Sequence, residues 1–239
     1  MNPATIAAAK PEPIDERPDV HAVGIGPGDR AYVTPRARQL LGAADVVVGF
    51  ETVTDRVVEW VGGDVLSCSY DDQEAVLERF GRRVADGADG VAVLWGDPNV
   101  SGYQFLGRVE RAVDGSVEVV PGVSSIQVAA SRIRTPIERS TFASLHRRGD
   151  VTDDVDRLAA AAGDRHLLVL VRPYDWMPPE IAGALVERGA DPDLEAFVLE
   201  ELTLPEETIS RATLDELAAD ETKHSDRSIL AVRADADSA

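Results

Sequence analysis

The chain has 239 residues, 44% of them hydrophobic, enough for a sizeable core built as one large domain or two small ones. Its formal net charge is -19 and its only lysines are Lys10 and Lys223, so nearly all positive charge is arginine. That balance speaks against a nucleic-acid partner, whose phosphates would be repelled, and suits a halophilic protein, whose self-repulsion high ionic strength screens.

Residues 1–19 mix Pro, Ala and charge without periodicity and read as a disordered tail. No run approaches the roughly 18 apolar residues of a membrane span, and the start lacks a basic flank followed by an apolar stretch. A cytoplasmic protein with no membrane partner is expected. Cys68 is the only cysteine, so neither an intrachain disulfide nor a thiolate zinc cluster can form; it reads as a small apolar filler, and no metal is expected.

In chain order, residues 20–25 are a short apolar run ending in Gly24-Ile-Gly-Pro-Gly-Asp29, which reads as a buried strand entering a glycine-rich loop. Thr34 suits an N-cap with Pro35 at the first helical position, and apolar residues recur at helical spacing up to Ala44. A strand at 46–48, a helix at 72–85 and a continuous apolar strand at 90–95 follow, the last closed by Gly96-Asp97-Pro98. Next come a helix at 101–113 and a strand at 117–120, which Pro121-Gly122 breaks before a helix at 124–133. Continuous rather than alternating apolar runs suit strands covered on both faces, and the alternation of strand and helix predicts an α/β layer with a mostly parallel sheet.

The second half repeats the style without the motifs. Strands are expected at 141–146, 166–171, 194–199 and 228–232, helices at 152–162 and 178–188, and a Thr-rich segment at 202–210. Thr213 with Glu216 fits a capping box opening one more helix. The polar surroundings of Thr135-Pro136 mark a boundary between two α/β domains, 20–136 and 137–239.

Three first-half loops follow the C-terminal ends of predicted strands, the edge where open parallel sheets bind ligands. Gly24-Ile-Gly-Pro-Gly-Asp29 hints at a dinucleotide fingerprint, but Pro27 interrupts the pattern and the helix begins too late to hold a pyrophosphate. No Walker-type lysine loop occurs. Trp95-Gly-Asp-Pro-Asn99 offers Gly96 for close backbone approach and Asp97 as an acceptor for a ribose or an amine, although Gly-Asp-Pro is also ordinary turn chemistry. Val120-Pro-Gly-Val-Ser-Ser125 places two hydroxyls at a helix start, where Ser124 also serves as a plain N-cap.

The order Gly24-Ile-Gly-Pro-Gly-Asp29, Ala44-Asp-Val-Val-Val-Gly49, Trp95-Gly-Asp-Pro98 and Val120-Pro-Gly-Val-Ser-Ser-Ile-Gln127 resembles the successive signatures of the tetrapyrrole (corrin/porphyrin) methylases. The resemblance covers about residues 20–232. Within the family, the fourth signature's continuation to Arg132, Phe142-Ala-Ser-Leu-His146 and Glu200-Glu-Leu-Thr-Leu-Pro-Glu-Glu207 are similar to the branch that methylates carbon 5 of cobalt-precorrin-7 in cobalamin biosynthesis. That branch usually reads Ser-Leu-His-Gly-Arg; this chain has Ser144-Leu-His-Arg-Arg148, which unsettles the local turn.

The resemblance implies two α/β domains of the class III methyltransferase type in a homodimer, with S-adenosyl-L-methionine in the cleft between the domains. Carried over by position, cofactor contacts fall on Pro27, Gly96, Asp97, Val100, Ser124, Ser125, Val171 and Leu202, and substrate contacts on Gly26, Gly28 and Asp29. It also implies functional coupling to a separate enzyme that methylates carbon 15 and removes a carboxyl group.

Methyl transfer from a sulfonium needs alignment and exclusion of water more than a covalent nucleophile. Asp97 and His146 are the candidates for handling a proton, with His146 as a packed strand residue the plainer reading. A corrin precursor carries several carboxylates, and Arg132, Arg134, Arg139, Arg147 and Arg148 fall in one stretch with Glu138 as its acid, so some of them, Arg147 and Arg148 first, are expected to anchor it. Competing expectations are another ring-carbon methylase of the corrin or sirohaem pathway, a diphthine-forming enzyme, and a nucleotide-binding regulator.

Overall fold

The computed structural model describes residues 2–8, 18–100 and 102–235. By contacts the chain divides into two compact units, Met1–Ser124 and Ser125–Ala239. Residues 125–136 therefore pack with the second unit, where the sequence had placed them in the first.

The first unit holds α1 (Pro3–Ala8), β1 (Val20–Gly24), α2 (Pro35–Ala43), β2 (Val46–Phe50), α3 (Glu51–Thr54), β3 (Asp64–Cys68), α4 (Gln73–Ala85), β4 (Gly90–Leu94), α5 (Tyr103–Ala112) and β5 (Val117–Val120). Its five strands run parallel in the order β3-β2-β4-β1-β5. Successive residues of a strand point to opposite faces, and both faces are covered here. Ala22, Ala92 and Leu94 belong to one apolar cluster with Phe80 and Leu106, whereas Val23, Val91 and Val93 join the opposite one with Leu41 and Val53. That is why these strands read as unbroken apolar runs. Thr34 caps α2 by accepting the Ala37 N–H at 3.1 Å, with Pro35 at the first helical position.

Two elements depart from the sequence expectation. Residues 3–8, assigned to a disordered tail, form α1, which lies against α5 and buries Ala7. Strand β3 carries only alternate buried residues, Leu66 and Cys68, because it is the sheet's edge, and so it lacks the continuous run that reveals its neighbours.

The second unit holds α6 (Ser125–Arg132), β6 (Ser140–Ser144), α7 (Thr152–Ala161), β7 (His166–Leu170), α8 (Pro178–Glu187), β8 (Glu195–Glu200), β9 (Thr208–Thr213), α9 (Leu214–Ala218) and β10 (Ile229–Val232). Its strand order is β6-β7-β10-β8-β9, and here the mostly parallel expectation fails. Only β6 and β7 are parallel; β10 runs against both β7 and β8, and β9 against β8. The capping box at α9 forms as predicted, with Glu216 N–H donating to Thr213 Oγ1 at 3.2 Å and Thr213 N–H to Glu216 Oε2 at 2.9 Å. Among the described residues no helix is long and apolar enough to cross a membrane.

Candidate functional site

In the first unit the three motif loops share one backbone cluster beyond the C-terminal ends of β1, β4 and β5. Gly26 and Gly96 form a reciprocal bridge: Gly96 N–H donates to Gly26 O at 2.8 Å, and Gly26 N–H to Gly96 O at 3.2 Å. A Cβ at Gly24 would lie 2.8 Å from both Gly122 N and Pro98 Cδ, and one at Gly122 would run into Gly96 O. Backbone meets backbone where any side chain would hold the loops apart.

Around this cluster Gly26 and Gly28 are buried, Pro27, Gly96, Asp97 and Val100 are half-buried, and Ser124 is buried. Asp97 has a structural duty, since its Oδ1 accepts the Asn99 N–H at 2.7 Å and the Asn99 side-chain amide at 2.8 Å, while Val100 N–H donates to its carbonyl at 2.9 Å. Asp29 is exposed, and its Oδ1 accepts the Ala31 N–H at 2.8 Å to start the single turn Arg30–Tyr32. Ser125 is half-buried and opens α6.

In the second unit, β6, β7 and β8 all point their C-terminal ends the same way, because β6 is parallel to β7 and both β7 and β8 oppose β10. Ile229 pairs with Leu170 on one side and Leu199 on the other, so Val171 and Leu202, both buried, lie beyond the same sheet edge. His146, Arg147 and Arg148 follow β6 at that edge, where Leu145 N–H donates to Leu170 O at 2.9 Å. His146 is not the packed strand residue expected. β6 ends at Ser144, and His146 is exposed with no hydrogen-bond partner among the described residues.

The five arginines do not form one patch. Arg139 precedes β6 and Arg147 follows it, which puts them at opposite ends of that strand. Arg132 is bidentate to Glu207, at 2.7 and 3.2 Å, and Arg147 pairs with Asp154 at 2.5 Å. Glu207 comes from distant sequence, and Asp154 lies just beyond the stretch in which the arginines were counted. Arg148 is exposed and has no ion-pair partner among the described residues.

Sequence reasoning missed Arg172. It donates Nη1 to the carbonyls of Arg147 and Gly149 at 3.3 and 2.7 Å, and pairs with both oxygens of Asp175 at 2.7 Å. This guanidinium ties the 147–149 turn to the end of β7, and within that turn Gly149 takes φ +95°.

The segment after β8 was missed as well. Read from the sequence only as a Thr-rich segment at 202–210, it bends sharply: Glu201 has φ +48° and Thr203 φ +70°, and strand pairing resumes only at Thr208. Left-handed backbone costs about 1–3 kcal/mol per non-glycine residue, most for a β-branched one such as Thr203. Glu207 accepts the Thr203 N–H at 2.6 Å, and its carboxyl is held below the usual carboxylate range by the Arg132 hydrogen bonds, with that N–H adding to the effect. Glu201 accepts the Ser225 hydroxyl and pairs with Arg227 at 3.3 Å. Behind them, buried His224 lies between Glu200 at 3.4 Å and Asp220 at 3.2 Å.

Residues 19–218 match the family model of the tetrapyrrole (corrin/porphyrin) methylases. The chain is 30% identical over 202 residues to a probable cobalt-precorrin-7 C(5)-methyltransferase of Methanocaldococcus jannaschii, an alignment covering 83% of this chain and 91% of that protein. It is 27% identical over 217 residues to the uroporphyrinogen-III C-methyltransferase of Paracoccus denitrificans, covering 84% of this chain and 74% of that protein. Among solved structures, the uroporphyrin-III C-methyltransferase of Thermus thermophilus, complexed with S-adenosylhomocysteine, superposes with a TM-score of 0.69 at 25% identity, over 90% of this chain and 91% of that one. The chain belongs to the tetrapyrrole (corrin/porphyrin) methylases, enzymes that take their methyl group from S-adenosylmethionine.

Proposed function

We propose that this protein methylates carbon 5 of cobalt-precorrin-7, or its cobalt-free counterpart, in cobalamin biosynthesis. The observation that carries the reading is the 30% identity to the Methanocaldococcus jannaschii protein, sustained along 91% of that protein's length. The residues present suit an adenosyl ligand on two counts. Gly24, Gly96 and Gly122 let the three loops meet backbone to backbone, which holds their main chains in one cluster. The backbone N–H and C=O of buried Leu202 meet no partner among the described residues, as expected of groups that a ligand satisfies.

S-adenosylmethionine supplies an electrophilic methyl carbon. In this reading Pro27, Gly96, Asp97, Val100, Ser124, Ser125, Val171 and Leu202 hold it, and Gly26, Gly28 and Asp29 border the acceptor ring. Asp97, with Oδ1 committed to Asn99, orients its loop. His146, exposed and without a partner among the described residues, is the better group to take up the proton that the ring loses. Arg148 anchors a substrate carboxylate; Arg147 contributes less because Asp154 already neutralises it.

The second reading is methylation of uroporphyrinogen III, favoured by the Paracoccus relative. The two separate when the purified protein is given S-adenosylmethionine labelled with 13C in its methyl group and each acceptor in turn, in high-salt buffer. A single labelled methyl on carbon 5 of the corrin precursor is the expected product. Label appearing only in uroporphyrinogen-derived material would transfer the assignment to the second reading.

A further inference from the structure

The turn after β8 holds two left-handed residues, neither of them glycine, on either side of buried Leu202. Such a backbone persists only where its surroundings impose it, and imposed strain concentrates where a chain must present groups to a ligand. The surroundings here are two polar braces. On one side Glu207 accepts the Thr203 N–H at 2.6 Å while both its oxygens are engaged by Arg132 from the end of α6. On the other, Glu201 takes the Ser225 hydroxyl and the Arg227 guanidinium, and its carbonyl accepts the Leu204 N–H at 2.9 Å. The product is a fixed peptide at Leu202 with one donor and one acceptor left over among the described residues.

We propose that Arg132 and Glu207 are positioning residues for the cofactor: through Thr203 they hold the Leu202 main chain in the conformation that binds the adenosyl group of S-adenosylmethionine. This rests on the reading that Leu202 contacts that group. Arg132 is thereby removed from the arginines assigned to substrate carboxylates. Pre-setting the turn means that binding does not have to order it, so loss of the brace reads out as weaker binding.

The test is calorimetric titration of the whole protein with S-adenosylhomocysteine, alongside thermal melting, for the parent, Glu207→Ala, Glu207→Gln, Arg132→Ala and Thr213→Ala. Thr213→Ala breaks the α9 capping box in the same unit and controls for simple destabilisation. Glu207→Ala should weaken binding by about tenfold or more at a temperature far below its melting point. Glu207→Gln keeps an acceptor for Thr203 and should lose less, with Arg132→Ala also weakened, and Thr213→Ala should melt earlier with parental affinity. Parental affinity in both Arg132→Ala and Glu207→Gln, whatever their melting points, would overturn the proposal, as would equal weakening in Thr213→Ala. Should Glu207→Ala fail to fold, those two milder variants decide the matter. A well-folded parent that does not bind S-adenosylhomocysteine would overturn the methyltransfer reading itself, a different outcome from parental binding that the variants leave intact.

Discussion

Gly96 and Gly26 exchange backbone hydrogen bonds at 2.8 and 3.2 Å, fastening the loop after β4 to the loop after β1. Gly24 lies beneath that bridge, where a Cβ would come 2.8 Å from Gly122 N. Gly24→Ala should therefore push the loops apart, lowering stability by about 1–3 kcal/mol in urea denaturation and reducing S-adenosylhomocysteine affinity in the same preparation. Unchanged values of both would mean that the close approach is not required.

Asp97 makes a second prediction, because one carboxylate oxygen organises Asn99 through two hydrogen bonds. Asp97→Ala should weaken S-adenosylhomocysteine binding by about tenfold, while Asp97→Asn, which can keep an acceptor oxygen at the turn, should fall between. Equal loss in both would assign the effect to charge instead of to the turn.

His166 gives a pH dependence. It is buried, and Ala234 N–H donates to its Nδ1 at 3.0 Å, which requires that nitrogen to be unprotonated. Burial first, then the charges of Arg233, Arg139 and Arg165, lower its pKa from 6.5. The unfolded chain then binds more protons than the folded one below about pH 6.5, so stability present above that value is lost as pH falls through the folded pKa. Melting temperatures between about pH 7 and pH 5 should decline less in His166→Gln, which accepts the same N–H without titrating. Parallel profiles would refute the assignment.

Cys68 is buried, and burial, with the Asp72 carboxylate adding to it, pushes its thiol up to about 11. Only the thiolate reacts readily, so at mildly alkaline pH the folded protein should resist a disulfide-exchange reagent and react fully once denatured. Rapid labelling of the folded chain would contradict this.

The first unit was largely legible in its sequence because its strands are covered on both faces. Val20, Ala22 and Val23 are all buried and spell an apolar run, and Thr34-Pro35 announces α2. The edge strand β3 was not legible, since half its residues face solvent. In the second unit apolar runs located strands but carried no sign of direction, so the antiparallel placement of β10 stayed hidden. The site divided in the same way. Motif glycines were visible, whereas Glu207, the partner of Arg132, comes from elsewhere in the chain and needed the fold to bring it in. Thr203 stood in a Thr-rich segment whose composition gave no sign of a bend, and its bond to Glu207 forms only in the fold.

The placement of β10 bears on how the protein is made. This strand, Ile229–Val232, fills the middle of the second sheet, with β7 and β8 on its flanks. Until Ile229–Val232 is in place, β7 and β8 each present an open, apolar edge, the kind of edge that invites pairing with another chain. Closure of the second sheet thus waits on a strand that follows all its other strands in the chain, and a form in which Ile229–Val232 is not seated is a ready substrate for aggregation or for a chaperone.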